Sequence, residues 1–376
     1  MNKYLSYCKS IVKTKGQPRI VVLGNESCDL DSAVCSLTFA FHLFKCPSLV
    51  QPFPGWEHVL PVLNVFRHEL PIKTEVVYFL QKHQIELENL ICKDEISLNK
   101  AALERTKFVL VDHHMSIYEA NVVGVIDHRI FDPRANLPDT IFKLMRPVGS
   151  CATLITKIIT DYDMFDKHRD DFTLVLKLLY GAIILDTVNF SKQADKAREM
   201  DHMMAEYIEQ NLEISELDRR TLFENLVLKR NDVSGLDSLQ ILSKDSKILY
   251  RQGRTVSIPG YPILVQDYVK MYDAETNLLK FAQTTGSDVV VLMGMKINAE
   301  SNQVRRDLGI VNICDRDLFE KIVTALTTSK TPDLRLEKRC GNVYECVCGI
   351  YFTQGNIAAS RKQILPLIRS ILDGSS

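Results

Sequence analysis

Arg19-Ile20-Val21-Val22-Leu23-Gly24-Asn25-Glu26-Ser27-Cys28-Asp29-Leu30-Asp31-Ser32 is the stretch on which the reading of the fold turns. Its first five residues are a short β-branched apolar run, the pattern of a buried strand. Gly24-Asn25 ends that run. Asp31-Ser32 then offers side-chain oxygens suited to starting a helix, expected to reach about Phe44. Further strands are expected at residues 59–65, 76–80, 108–111 and 122–126, and helices at 151–160 and 172–184. Strands alternating with helices imply a parallel sheet covered on both faces, and such sheets bind ligands beyond the carboxyl ends of their strands.

Acidic residues stand where these elements are expected to end. Asp29 and Asp31 follow the first strand. Asp112 closes Phe-Val-Leu-Val and precedes His113-His114. Asp127-His128-Arg129 closes Val-Val-Gly-Val-Ile, and Asp186 ends Gly-Ala-Ile-Ile-Leu. Each has a plain reading when taken alone: a helix cap, a surface turn, a satisfied core histidine. As an ordered set they share a problem, because an unpaired carboxylate at the end of an apolar element is costly to desolvate. Two shared divalent cations would neutralise several at once. Oxygen ligands suit Mg²⁺, and an added imidazole shifts the preference toward Mn²⁺ or Co²⁺.

The pattern changes after about Asn211. Charged helical sequence over 206–225 leads to strands expected at 254–258, 288–293, 306–311 and 343–352, with helices at 274–284 and 318–327 and a last one after Ser360. The expected organisation is a metal-binding domain over 1–209, a linker over 210–221 and a smaller α/β substrate-binding domain over 222–376, with the active site in the cleft between them. Ser360 is placed to cap the last helix. Arg361 and Lys362 beside it add fixed positive charge to the free N–H groups of a helix start, which makes a phosphate cradle.

Composition narrows the function classes. The 376 residues are 46% hydrophobic and 25% charged, with 46 Lys+Arg against 47 Asp+Glu. A net charge of −1 disfavours extended nucleic acid as a partner. No apolar run of about 18 residues suggests a membrane span. Ten cysteines without a framework read as reduced thiols in an intracellular compartment, with Cys340, Cys346 and Cys348 taken as core. The basic, acid-poor start (Lys3, Lys9, Lys13, Lys15, Arg19) reads either as a solvated helix leading into the first strand, hence a cytoplasmic protein, or as a mitochondrial presequence.

Four strings resemble the ordered motifs of the DHH phosphoesterase superfamily, in its Prune and exopolyphosphatase branch: residues 24–32, 110–114, 126–129 and 184–186. Val148-Gly149-Ser150-Cys151-Ala152-Thr153 is similar to a further family string, and Ser360-Arg361-Lys362 to one in the DHHA2 C-terminal domain. The resemblance implies that Asn25, Asp29, Asp112 and Asp186 hold one cation. It implies that Asp31, Asp112, His128 and Asp186 hold the other. His113 and His114 would tune the site, and Arg129, Arg361 and Lys362 would neutralise phosphate. The implied activity is release of terminal phosphate from short polyphosphate by metal-activated water. Pyrophosphate hydrolysis, cyclic-nucleotide phosphodiester hydrolysis, or a regulatory role with nucleoside diphosphate kinase as partner are the other activities this branch suggests. Two positions depart from related pyrophosphatases: Asn25 replaces a histidine, and Arg129 replaces the second histidine of the third motif.

Overall fold

The computed structural model describes residues 1–12, 18–46, 58–137, 140–297, 303–339 and 349–374. Cys340, Cys346, Cys348, Lys13 and Lys15 lie outside them, as does most of the strand expected at 343–352. The chain divides into two compact units, Met1–Arg230 and Asn231–Ser376.

The first unit is built on five parallel strands, β1 (Arg19–Leu23), β2 (His58–Val62), β3 (Thr106–Val111), β4 (Val122–Asp127) and β5 (Phe142–Met145), in the order β2-β1-β3-β4-β5. Its helices are α1 (Asn2–Val12), α2 (Leu30–Lys45), α3 (Thr74–Lys82), α4 (Lys100–Leu103), α5 (Cys151–Asp161), α6 (Met164–Lys167), α7 (Arg169–Asp186), α8 (Glu199–Leu212) and α9 (Glu216–Arg230). β1 is buried along its whole length, as its unbroken apolar run requires of an inner parallel strand. α2 is buried from Leu30 to Leu43 and packs against β2, α5 and α7. The turn joining β1 to α2 is tight. A Cβ on Gly24 would lie 2.2 Å from Ser32 Oγ, so only glycine fits there.

Several expectations need correction. Residues 76–80 are helical, not a strand. Val76, Phe79 and Leu80 are buried at helical spacing, and Phe79 lies so close to Gly181 of α7 that a Cβ there would sit 2.2 Å from its ring. Five apolar residues do not distinguish the two periods. The strand at 59–65 stops at Val62, after which Leu63 makes a single bridge to Cys92. Pro61 within it is tolerated because β2 is an edge strand. β5 was not expected: Phe142-Lys-Leu-Met is a short, half-exposed edge without β-branched residues. The helix expected at 172–184 is longer, running from Arg169 to Asp186.

The basic start is a helix that packs on this unit. Tyr4, Leu5 and Cys8 are buried, and Tyr4 Oη donates to Val59 O at 2.8 Å. α8 and α9 also belong to this unit, burying Met204, Ala205, Ile208 and Leu226. The division therefore falls after Arg230, beyond the 210–221 stretch read as a linker.

Among the described residues the second unit carries six strands, β6 (Ser246–Arg251), β7 (Arg254–Tyr261), β8 (Val289–Ile297), β9 (Val304–Asn312), β10 (Leu336–Lys338) and β11 (Gly349–Gln354), in the order β10-β11-β9-β8-β7-β6. Only β7 and β8 run parallel. Its helices are α10 (Ser238–Lys244), α11 (Val265–Tyr268), α12 (Ala274–Thr285), α13 (Arg316–Thr328) and α14 (Arg361–Leu372). Among the described residues no helix is long and apolar enough to cross a membrane.

His42 is the least satisfied group in the first core. It is fully buried against Phe39, Tyr162 and Phe172, and neither ring nitrogen has a hydrogen-bond partner among the described residues. Burial pushes its pKa down to about 4. A folded-state pKa below the unfolded value of about 6.5 means the unfolded chain binds more protons in this window. Stability is therefore lost as pH falls from about 6.5 toward 4, reaching about 2 kcal/mol by pH 5 from this residue alone. Denaturant unfolding at pH 7 and pH 5 should show that loss, and His42→Phe should reduce it by a similar amount; an unchanged pH dependence would contradict this account.

Candidate metal centre

Asp31, Asp112 and His128 meet at one point. One ligand atom of each lies within 4.8 Å of the others. Three separate elements deliver them. Asp31 sits in the first turn of α2, Asp112 follows β3, and His128 follows β4. The parallel order β1-β3-β4 puts these strand ends side by side. Asp31 and Asp112 are each 1% exposed.

Asp112 is the hub. Its Oδ2 accepts from Asn25 Nδ2 at 2.6 Å, and its Oδ1 is 3.2 Å from His128 Nε2 and 3.3 Å from an Arg129 guanidinium nitrogen. Its backbone carbonyl accepts from Arg129 at 2.7 Å. Its backbone has φ 60°, left-handed for a residue with a side chain, and Cys28 and the run Val188-Asn189-Phe190 share that conformation. Left-handed geometry costs about 1 kcal/mol or more per residue, and such strain gathers at functional sites.

Electrostatics show what the cluster lacks. Burial and the charges of Asp31 and Asp29 push Asp112 up to about 8. Burial, then Asp31, Asp29 and Asp112, push Asp186 well above the carboxylate range. Asp29 is raised by burial and by Asp31. Burial opposes a charge on His128, yet the hydrogen bond to Asp112 and the charges of Asp31 and Asp112 outweigh it and hold the imidazole up at about 10. All four shifts point one way: the site holds surplus negative charge and takes up any positive charge, proton or metal ion. Asp186 has no protein hydrogen-bond donor among the described residues, which leaves its oxygens open. A hard dication with an imidazole in its ligand set fits these donors.

The other expected residues divide. His128 Nδ1 faces Val148 O at 3.0 Å, so its Nε2 is the nitrogen turned to the cluster. His113 Nδ1 faces Val111 O at 3.0 Å. His114 has both nitrogens engaged, Nδ1 with Asp127 Oδ2 at 2.5 Å and Nε2 accepting from Asp132 N at 2.9 Å, and it stacks on Phe131. Asn25 turns its oxygen away from the cluster, accepting there from Ser27 N, Ser27 Oγ and Cys28 N. It meets Asp112 as a donor.

In the second unit Ser360 caps α14 as expected, accepting from Lys362 N and exchanging bonds with Gln363. Lys362 is exposed. Arg361 is engaged: one nitrogen bonds both carboxylate oxygens of Asp245, at 2.6 and 2.7 Å, and another bonds the Asp245 carbonyl at 2.6 Å.

Sequence reasoning missed how Asp31 is held. Ser150 Oγ, Cys151 N and Ala152 N donate to it at 2.8, 2.7 and 2.9 Å from the start of α5. The string 148–153 carried the signal, but nothing in it revealed its partner.

A family model for the DHHA2 domain matches residues 224–371. Exopolyphosphatase PRUNE1 of Homo sapiens is 33% identical over 385 residues, covering 99% of this chain and 79% of the relative. The chain belongs to the Prune and exopolyphosphatase branch of the DHH phosphoesterases. The protein of the same name from Bos taurus is likewise 33% identical, over 383 residues with the same coverage. A solved Methanococcus jannaschii structure, described as a family II inorganic pyrophosphatase, shares the fold of this branch. It aligns with a TM-score of 0.52 at 20% identity, covering 94% of this chain and all of its own.

Repulsion in this DHH centre sets a stability prediction. With its folded pKa near 8 instead of about 3.8, Asp112 opposes folding increasingly as pH rises between those values. Asp112→Asn should therefore stabilise the metal-free protein at pH 7.5, by about 1–3 kcal/mol. Saturating Mn²⁺ should raise the melting temperature of the wild type by several degrees and that of Asp112→Asn hardly at all. An equal Mn²⁺ shift in both proteins would remove Asp112 from the centre.

Proposed function

We propose that this chain is a divalent-metal-dependent exopolyphosphatase that releases terminal phosphate from short polyphosphate. The observation that carries the reading is the meeting of Asp31, Asp112 and His128, buried and short of positive charge, in a chain of this family. Hydrolysis of phosphoanhydride bonds follows from the family. The preference for short chains and for the terminal phosphate is our reading.

Asp31, Asp112 and His128 would hold the metal, with Asp29 and Asp186 completing the donor set. When bound, divalent cations supply Lewis acidity toward phosphate oxygens and toward water. The chain's own contributions are positional. Val148 O fixes the tautomer of His128, and the start of α5 fixes Asp31. Arg129 is half-exposed, and its guanidinium sits against Asp112. From there it is suited to grip a phosphate bidentately and offset charge that builds on the oxygens. Ser360, Arg361 and Lys362 complete the proposal as phosphate-binding residues of the second unit.

Phosphate release should be measured on pyrophosphate, tripolyphosphate, long polyphosphate and cyclic AMP, each with Mg²⁺, Mn²⁺ or Co²⁺. Tripolyphosphate should be cut fastest, and Asp112→Ala should remove at least about a thousandfold of kcat. 5′-Nucleotide from cyclic AMP as the main product would replace this reading with a phosphodiesterase. Arg129→Ala should lower kcat/KM about 10–100-fold, and Lys362→Ala should act mainly on KM.

A further inference from the structure

We infer that Asp201, on α8, is the positioning residue that sets the geometry of the metal centre, through the loop that opens α5. The inference rests on the reading that Asp31 and His128 hold metal.

One short segment holds two of the three convergent ligands. Val148 O accepts from His128 Nδ1, and the next three residues but one give Asp31 its donors: Ser150 Oγ, Cys151 N and Ala152 N. A shift of this segment displaces the imidazole and the carboxylate together. Ligand placement of this kind is sensitive to small movements, and the groups that orient ligands influence affinity nearly as strongly as the ligands do.

The segment is itself held by Asp201, fully buried and 52 residues away in sequence from Gly149. Its Oδ2 accepts from Gly149 N at 2.7 Å, and its Oδ1 accepts from Thr153 Oγ1. The third bond, from Arg198 N at 2.7 Å, anchors Asp201 to the first turn of its own helix. A helix cap needs only that third bond. The other two reach across to the α5 loop, one on each side of the residues that grip Asp31. Gly149 is shaped to the contact, because a Cβ there would lie 2.9 Å from Asp201 Oδ2 and 2.8 Å from Thr187 Cγ2. A side chain at 149 and the loss of the carboxylate at 201 should thus displace the same loop.

The carboxylate acts here as an acceptor, so asparagine is an informative replacement. Its oxygen can keep both N–H bonds, and its amide can donate to the Thr153 hydroxyl. Alanine keeps none of them.

Mn²⁺ titration followed by electron paramagnetic resonance tests the assignment without recourse to turnover. Five proteins are compared with wild type: Asp201→Ala, Asp201→Asn, Gly149→Ala, Asp112→Ala and Leu226→Ala, the last removing a fully buried α9 side chain as a control for lost stability. Asp201→Ala and Gly149→Ala should weaken Mn²⁺ binding about 10–100-fold and broaden the spectrum of the bound ion. Asp201→Asn should stay within about threefold of wild type, and Leu226→Ala should melt lower with unchanged affinity. Wild-type affinity in Asp201→Ala, or equal weakening in Leu226→Ala, would overturn the positioning role. Wild-type affinity in Asp112→Ala would instead overturn the metal centre on which it rests. If Asp201→Ala does not fold, Gly149→Ala and Thr153→Val carry the comparison, with unchanged affinity in both counting against the inference.

Discussion

Mutual repulsion among buried carboxylates governs the first unit. Asp29, Asp31, Asp112 and Asp186 are brought within range of one another, and three of them are raised by burial and by their neighbours' charges. A protein selected only for stability would not keep this arrangement, since two neutral side chains would pack there at less cost. The fold makes it tolerable with polar groups aimed inward. The N-terminal amides of α5 cover Asp31, Asn25 and Arg129 donate to Asp112, and His128 takes up a proton where a metal ion would otherwise lie. The left-handed residues at Cys28, Asp112 and 188–190 are further strain on the same centre.

What could be read from the sequence is what depends on local pattern. β1, the Gly24 turn and α2 follow from apolar run and glycine within fourteen residues, although the residue that caps α2 is Asp29, through its bond from Ser32 N, rather than Asp31-Ser32. Asp31, Asp112 and His128 could be linked because each follows a strand, and parallel order brings the ends of such strands together. What could not be read depends on tertiary partners. Val76-Val-Tyr-Phe-Leu80 suits either period, and only the fit of Phe79 against Gly181 makes it a helix. Asp201 lies in a charged helix with no local sign that its carboxylate is buried. Arg361 reads as a free cation until Asp245 is seen beside it, 116 residues distant.

Asn25 and Arg129, the two positions that depart from the related pyrophosphatases, both bear on Asp112. Each stands where the resemblance sets a histidine, a residue able to offer a lone pair. Each presents a donor instead. Three local donors clamp the Asn25 oxygen, so presenting it to a metal ion would require breaking those bonds or turning the amide over. The Arg129 guanidinium is a donor only. Both substitutions thus move the region from binding a cation toward compensating an anion.

That exchange has a direction. A fixed guanidinium against Asp112 offsets part of the negative charge that draws a metal ion in, so metal affinity should be lower than with histidine in its place. The same positive charge attracts a phosphate oxygen of the substrate. A histidine at 129 could transfer a proton to a leaving oxygen, whereas arginine can only stabilise charge. A phosphoanhydride leaving group is itself a phosphate oxygen, stable as an anion and therefore little dependent on protonation. Arginine at this position suits the hydrolysis of a polyphosphate better than the cleavage of an ester whose alkoxide must be protonated as it leaves.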